Sequence, residues 1–276
     1  MTEMTMARLD EWMIILYAVS LVFYFTDYVK RNTYLHYCAV FLFAVVFIMQ
    51  TTTIVARVIQ HGQLPIYTLL DGVYIIAWLL LLVSLLFYTF HSYNLILFIM
   101  NSIGFVFMTI HTFGVAQRAS LRVSEMLISE LLLIHIVFAF LAYVAFAFAF
   151  AFAILYLIVY RLLKKKIWTK QFDRYPSLHQ TTVGMKRSIY AGIPLLFISL
   201  LLGLQWAQVV LEEWSVFDPK VWMSFLVVLI YSGLVYLKKI GRLRANDFAW
   251  SVLIAFLFVL VNFFVASQWS SFHYWM

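Results

Sequence analysis

The sequence predicts an all-α integral membrane protein, a bundle of about eight transmembrane helices with both termini outside. Three observations lead to this fold class. Hydrophobic residues make up 65% of the 276-residue chain and charged residues 11%, whereas a soluble domain is about half apolar and a quarter charged. The apolar runs are roughly 20 residues long, which is enough to cross a hydrocarbon core. Backbone polar groups in lipid must bond within their own segment, so these runs must be helical.

Eight apolar runs follow one another along a single transmembrane domain, 1–276. The predicted spans are 12–29, 36–58, 67–90, 95–114, 128–160, 189–211, 221–238 and 247–267. The fifth span is unusually long, and we expect it to tilt or to project beyond the bilayer. Its Ala-Phe alternation over 145–153 has the period of a strand, but it lies inside a run far longer than a strand, which favours a helix. The sizeable connection in this scheme is a basic cytoplasmic loop at about 161–188.

The distribution of basic residues predicts the orientation of the spans. The connections after spans one, three, five and seven contain most of the cations: Lys30, Arg31, Arg161, Lys164, Lys165, Lys166, Lys170, Arg174, Lys186, Arg187, Lys238, Lys239, Arg242 and Arg244. Because cytoplasmic connections are enriched in Lys and Arg, this side is predicted to be the cytoplasm.

Aromatic and acidic residues gather in the segment WSVFDPKVW, residues 214–222, between two apolar runs. Such a loop suits a flat, apolar ligand that carries charged groups. Haem is a ligand of this kind, since its iron takes histidine ligands and its propionates take cationic partners. His135 and His273 fall on the same predicted side as the loop and are the predicted axial ligands. His61 and His111 are the alternatives on that side.

The other predicted contacts of this site are aromatic walls, cationic partners and one carboxylate. The predicted walls are Trp206, Trp214, Phe217 and Trp222. The predicted partners of the propionates are Arg57, Arg118, Arg122 and Lys220. Asp218 is predicted to orient a ligand or a backbone amide. Two structural alternatives stay open, because tryptophans collect at membrane interfaces in any case and Arg57 can form an ion pair with Asp71 between helices.

Four pieces of sequence occur in a characteristic order. They are RVIQHGQLP at 57–65 with Asp71 and Trp78, His135 with Tyr143, the tryptophan-rich segment 206–222, and His273. In this order they resemble the cytochrome c assembly family of membrane haem-handling proteins, most closely its HemX branch. The resemblance covers the chain from about residue 57 to its end. Phe217 stands where the family has tryptophan before Asp218.

The resemblance implies a haem-binding membrane protein of the bacterial plasma membrane, without catalysis of its own. It also implies a link to haem supply, through control of the level of glutamyl-tRNA reductase or through cytochrome c maturation. Complete cytochrome c assembly proteins have a further histidine where this chain has Tyr236, Leu237 and Lys238. We therefore expect one haem per chain and no second haem station at the inner face.

Two other functions stay open at this point. One is a cytochrome c synthase subunit that presents haem to an apocytochrome, and the other is a small-molecule transporter without haem. With Cys38 as its single cysteine, the chain has no CxxCH motif for covalent haem, so the expected cofactor is non-covalent haem b. The expected partners are haem, membrane lipid and a haem-pathway or cytochrome c assembly protein, and no nucleic acid.

Overall fold

A computed structural model describes residues 3–62, 64, 66, 68–90, 94–114, 130–167, 174–210 and 217–270. These residues form eight helices long and apolar enough to cross a membrane, and they include no strand. The helices are α1 (Glu3–Lys30), α2 (Thr33–His61), α3 (Leu69–Phe90), α4 (Asn94–Phe113), α5 (Glu130–Lys164), α6 (Leu178–Val210), α7 (Pro219–Lys239) and α8 (Ala245–Phe264), and a 3₁₀ helix, Ala266–Trp269, follows. The predicted all-α class with about eight membrane-spanning helices is confirmed, and the orientation of the termini stays a prediction.

The chain divides into two compact units, a division that the sequence did not indicate. The first unit comprises 1–118 and 170–175, and the second comprises 119–169 and 176–276. In the first, α1 packs against α2 and α4, and α3 packs against the same two helices. In the second, α5 packs against α6 and α8, and α7 packs against the same two helices. Each unit is therefore a ring of four helices.

Helix α6 begins well before the predicted position 189, and the reason lies in its first turn. Ser177 and Gln180 form a reciprocal cap, in which the Gln180 amide nitrogen donates to Ser177 Oγ at 3.1 Å and the Ser177 amide nitrogen donates to Gln180 Oε1 at 2.8 Å. Such a capping box marks a helix start. Because α5 also continues to Lys164, residues 161–164 and 178–188 of the predicted loop 161–188 are helical. The polar residues that lowered the hydropathy before 189 are helical.

Helix α5 is the longest helix of the second unit, with 35 residues, or about 52 Å of helix. The Ala-Phe alternation of 145–153 is helical, as predicted. Phe146 stacks on Tyr231 of α7 with ring centroids 4.1 Å apart, and Phe150 stacks on Phe256 of α8 at 4.6 Å. The alternation therefore supplies aromatic packing to two neighbouring helices.

The end of α1 holds a buried carboxylate in the first unit. Asp27 is 1% exposed and lies 3.3 Å from Arg174 Nη1 and 3.3 Å from His36 Nδ1. Tyr175 is hydrogen-bonded to Tyr28 of α1. These contacts fix residues 174–175, from the connection between α5 and α6, on the end of α1.

We expect labelling in intact cells to test the predicted orientation. In a Cys38→Ala background, a cysteine at Ser271 should react with a membrane-impermeant maleimide before lysis, and a cysteine at Ser177 only after lysis. The reason is the excess of Lys and Arg in the connections on the side of Ser177. The reverse pattern of labelling would contradict the orientation.

Candidate functional site

His135 lies five residues into α5 and faces α6. Its Nδ1 lies 2.5 Å from the Ser199 carbonyl oxygen and 3.1 Å from Ser199 Oγ. Ser199 Oγ in turn donates to the His135 carbonyl oxygen at 2.8 Å. Because a carbonyl oxygen can only accept, Nδ1 carries the proton in this contact and Nε2 carries the lone pair. This is the tautomer that a metal ligand bound through Nε2 requires.

Gly203 makes the approach of the His135 ring possible. A Cβ at this position would lie 2.6 Å from Cε1 and 2.7 Å from Nδ1 of His135, closer than non-bonded atoms pack. Gly203 follows Ser199 by four residues, so it stands one helical turn above the carbonyl that accepts from the ring. Small residues at this spacing let helices approach closely in membranes. Ser199 and Gly203 together form the seat of the imidazole.

Trp206 is the predicted aromatic wall that lies nearest to this seat along α6. It follows Ser199 by seven residues and Gly203 by three, so all three share one face of the helix. Its side chain is buried, at 6% exposure, and its Nε1 has no hydrogen-bond partner among the residues that the structure describes. A buried donor without an acceptor costs about 1–3 kcal/mol. The indole N–H is therefore a candidate donor to a ligand.

Asp218 is the N-cap of α7, and its two carboxylate oxygens make different contacts. Oδ1 accepts from the Lys220 amide nitrogen at 2.8 Å, and Oδ2 accepts from Ser270 Oγ at 2.9 Å. Pro219 occupies the first helical position, where its missing N–H has no intrahelical acceptor to lose. Asp218 therefore accepts from a backbone amide as an N-cap, and its part in a haem site stays a prediction. The carboxylate also fixes Ser270, three residues before His273.

Lys220 holds the end of α8. Its Nζ donates to the Asn262 carbonyl oxygen at 2.6 Å and to Ser267 Oγ at 2.8 Å. The last carbonyls of a helix carry partial negative charge, which favours a cation there. The short sequence Asp218-Pro219-Lys220 therefore fixes the C-terminal part of the described chain by two separate contacts.

A buried amide connects three helices beside these contacts. Asn262 of α8 is fully buried. Its Nδ2 lies 3.3 Å from the Tyr143 hydroxyl of α5 and 3.1 Å from Ser224 Oγ of α7. Tyr143, which belongs to the sequence pattern that includes His135, is thus part of a hydrogen-bonded network between α5, α7 and α8.

Phe217 and Trp222 lie at the surface of the second unit. Phe217 is 80% exposed and Trp222 is 55% exposed. Their rings stack with centroids 6.3 Å apart and an interplanar angle of 17°. Two exposed parallel rings at the start of α7 suit contact with a flat ligand or with the membrane interface.

Arg57 belongs to the first unit, where it pairs with two carboxylates. Nη1 lies 3.7 Å from Asp71 Oδ1 and Nη2 lies 3.6 Å from Asp10 Oδ2. The ion pair with Asp71 is the structural alternative that the sequence left open. Four predicted site residues, Trp214, Arg118, Arg122 and His273, lie outside the described residues, as does the side chain of His61. Their assignments stay predictions.

His111, the other alternative ligand, is held on both sides of its ring. Nδ1 lies 2.9 Å from the Leu70 carbonyl oxygen, and Nε2 lies 3.8 Å from Asp10 Oδ2.

Tyr236 and Lys238 lie in the last turns of α7, in the second unit. Lys238 Nζ donates to the Leu243 carbonyl oxygen at 3.1 Å, and Tyr236 is 62% exposed. These two residues stand where the family pattern has its further histidine.

The sequence analysis did not identify the residues that hydrogen-bond to, or pack against, His135, Tyr143, Asp218 and Lys220. These are Ser199, Gly203, Ser224, Asn262, Ser267 and Ser270. Two signals were available for three of them. Ser199 and Gly203 have the small-residue spacing of close helix contacts, and Asn262 is a polar residue inside an apolar run. Neither signal indicates which other helix these residues contact.

Comparison with known proteins gives a family match and two relatives. Residues 66–273 match the family described as "Cytochrome C assembly protein". The chain is 36% identical to "Protein HemX" of Bacillus subtilis (strain 168) over 274 residues, which is 99% of each chain. It is 36% identical to "Protein HemX" of Brevibacillus brevis over 263 residues, 95% of this chain and 96% of that one. These similarities support a haem-related function in a membrane.

Proposed function

The chain belongs to the cytochrome c assembly protein family, and from this premise we propose that it binds one non-covalent haem b in its second unit. His135 would bind the haem iron through Nε2, and His273 would supply the second protein ligand. The protein is proposed to be a multi-pass protein of the bacterial plasma membrane that acts in haem supply.

The observation that carries this proposal is the contact between His135 and Ser199. A histidine bound to iron usually donates its other ring proton to a carbonyl or a carboxylate, which fixes the tautomer and the ring orientation. The 2.5 Å distance from Nδ1 to the Ser199 carbonyl oxygen supports this arrangement. A histidine that only contacts solvent would need neither this carbonyl nor the space left by Gly203.

Three features of the second unit suit the remainder of a haem. The Nε1–H of Trp206, which has no acceptor within the described part of the chain, suits a propionate oxygen. Phe217 and Trp222 offer exposed aromatic faces. Asp218 accepts a hydrogen bond from Ser270, which precedes His273 by three residues in the sequence. When bound, haem supplies an iron centre, and the chain's own residues orient it.

The role in the cell that we propose is control of haem supply, through the level of glutamyl-tRNA reductase or through cytochrome c maturation. The similarity to the two HemX proteins over nearly their whole length supports the first route. The family match supports the second. A synthase subunit that presents haem to an apocytochrome is the alternative within the same family.

We expect the purified protein to show a Soret band with one haem per chain. His135→Ala should abolish or shift this band, because the iron loses a ligand. His179→Ala is the matched control, since His179 is an exposed histidine at the start of α6 and should leave the spectrum unchanged. Wild-type protein that never retains haem, or an unchanged spectrum in His135→Ala, would contradict the assignment.

Deletion of the gene for this protein distinguishes control of the reductase level from a role as a synthase subunit. A changed level of glutamyl-tRNA reductase with normal cytochrome c supports the regulatory route. Loss of cytochrome c with a normal reductase level supports the synthase subunit.

A further inference from the structure

The interior of the first unit changes from apolar to polar along one face of α2. Residues three or four positions apart share a helix face, and the inward face of α2 carries, in chain order, Phe43, Val46, Gln50, Thr53 and Arg57. The first four of these residues are at most 2% exposed. The face is therefore apolar before Gln50 and polar from Gln50 to Arg57, which lies four residues before the end of α2.

Gln50 lies in the middle of the ring of four helices. Its Nε2 lies 3.3 Å from Met108 Sδ of α4. Helices α2 and α4 are opposite members of the ring, because each of them packs against α1 and α3, so this contact crosses the interior. A thioether is a weak acceptor, and Gln50 Oε1 has no hydrogen-bond partner among the described residues. The amide therefore has hydrogen-bonding capacity that the neighbouring helices leave unused.

Thr53 and Tyr74 continue this polar stretch toward Arg57. Thr53 Oγ1 donates to the Met49 carbonyl oxygen at 3.0 Å and keeps its lone pairs for a further donor. Tyr74 of α3 is 1% exposed, and its ring lies 5.4 Å from Arg57 Cζ. The Tyr74 hydroxyl makes no hydrogen bond within the part of the chain that the structure describes. From Gln50 to Arg57 the polar stretch covers about 10 Å along α2, or two helical turns.

The two ends of the polar stretch differ in their access to solvent. Arg57 Nη1 lies 3.7 Å from Asp71 Oδ1, and each of these side chains keeps 17% of its surface exposed. Both residues lie near helix ends, so water reaches this side of the stretch. Beyond Gln50 the interior is closed, because Val46 is fully buried and the Tyr17 ring packs edge to face on Phe43 with centroids 5.7 Å apart.

We propose that the interior of the first unit between Arg57 and Gln50 is a hydrated vestibule, a site that binds water and that ends before Val46. Buried polar groups are nearly always bonded to protein or to ordered water, and an interior takes up water where it is polar and stays dry where it is apolar. Polar side chains that face away from lipid in a membrane protein often line such water-filled spaces. Water in the vestibule donates to Gln50 Oε1 and bonds to the Tyr74 hydroxyl. The proposal does not depend on haem.

Reaction of introduced cysteines with a small, water-soluble methanethiosulfonate tests whether the vestibule contains water. In the purified full chain with Cys38→Ala, Thr53→Cys should react at least about 10-fold faster than Val46→Cys, because the thiolate is the reactive form and apolar surroundings suppress ionisation. Val46 is the matched control, since it is as buried as Thr53 on the same face of α2.

Ile48→Cys is a second control for entry of the reagent from the lipid side. Ile48 is 62% exposed and lies outside the inward face of α2, and its cysteine should react as slowly as that at position 46. A rate at position 53 no higher than that of either control would overturn the proposal. If Thr53→Cys does not fold, Gln50→Cys takes its place and the same comparison decides.

The substitution Tyr74→Phe tests the bond between water and the hydroxyl. Loss of a hydroxyl that is bonded to water should lower Tm by roughly 2–4 °C, whereas loss of an unbonded buried hydroxyl leaves Tm unchanged or raises it. Tyr17→Phe is the matched control, because the Tyr17 hydroxyl donates to Asn101 Oδ1 at 3.1 Å. We expect Tyr74→Phe to lower Tm about as far as Tyr17→Phe does. A Tm equal to or above that of the wild type would show that the Tyr74 hydroxyl is dry and would overturn the proposal.

Discussion

Replacing Gly203 by alanine should displace the His135 ring and lower haem retention by about 10- to 100-fold, the usual cost of losing the group that orients a metal-bound histidine. The added Cβ would stand 2.6 Å from His135 Cε1. The ring then has to leave the Ser199 carbonyl or the two helices have to separate. Titration of the purified variant with haem, followed at the Soret band, measures the loss.

Gly233 provides a matched control for this substitution. A Cβ at Gly233, in α7, would meet no atom within 4 Å, so Gly233→Ala should leave haem retention unchanged. Alanine is favoured over glycine in a helix by about 1 kcal/mol, so a loss specific to position 203 cannot come from helix propensity. Ser199→Ala should have a smaller effect than Gly203→Ala, because it removes the hydroxyl and keeps the carbonyl. Haem retention that is normal in Gly203→Ala would exclude the His135 seat as the haem site.

Replacing Asp218 by alanine should lower the free energy of unfolding by at least about 2 kcal/mol. The substitution removes the N-cap of α7, and it takes from Ser270 the carboxylate that accepts its hydroxyl. Because Ser270 precedes His273 by three residues, haem retention should fall as well. Chemical or thermal unfolding gives the stability, and the Soret band gives the haem.

Asp218→Asn separates the hydrogen bonds of Asp218 from its charge. Asparagine is an equally good N-cap, and its side-chain nitrogen can donate to Ser270 Oγ, so most of the stability should return. If asparagine is as harmful as alanine, the negative charge beside Lys220 is what matters. Full stability in Asp218→Ala would show that the cap contributes little.

The boundaries of the helices depend on residues that are near one another in the sequence, so most of these boundaries could be predicted from the sequence. Six of the eight predicted spans begin and end close to the observed helices. The exceptions are the starts of α1 and α6. Helix α1 was predicted from 12 and begins at Glu3, and α6 was predicted from 189 and begins at Leu178, after the capping box of Ser177 and Gln180. Polar residues at a helix end reduce apolarity without preventing helix formation, so a hydropathy criterion places the start too late.

The sequence by itself determined the class of the protein, its eight spans and the residues of the Asp218-Pro219-Lys220 turn, because apolar length and capping depend on neighbours in the chain. Only the tertiary structure decided which side chains meet. His135 finds its carbonyl on α6, 64 residues away, and Asp10 finds Arg57 and His111 on α2 and α4. Such contacts depend on how helices rotate and approach one another. That is set by the packing of whole helix faces, including a single missing Cβ at Gly203, and no local pattern encodes it.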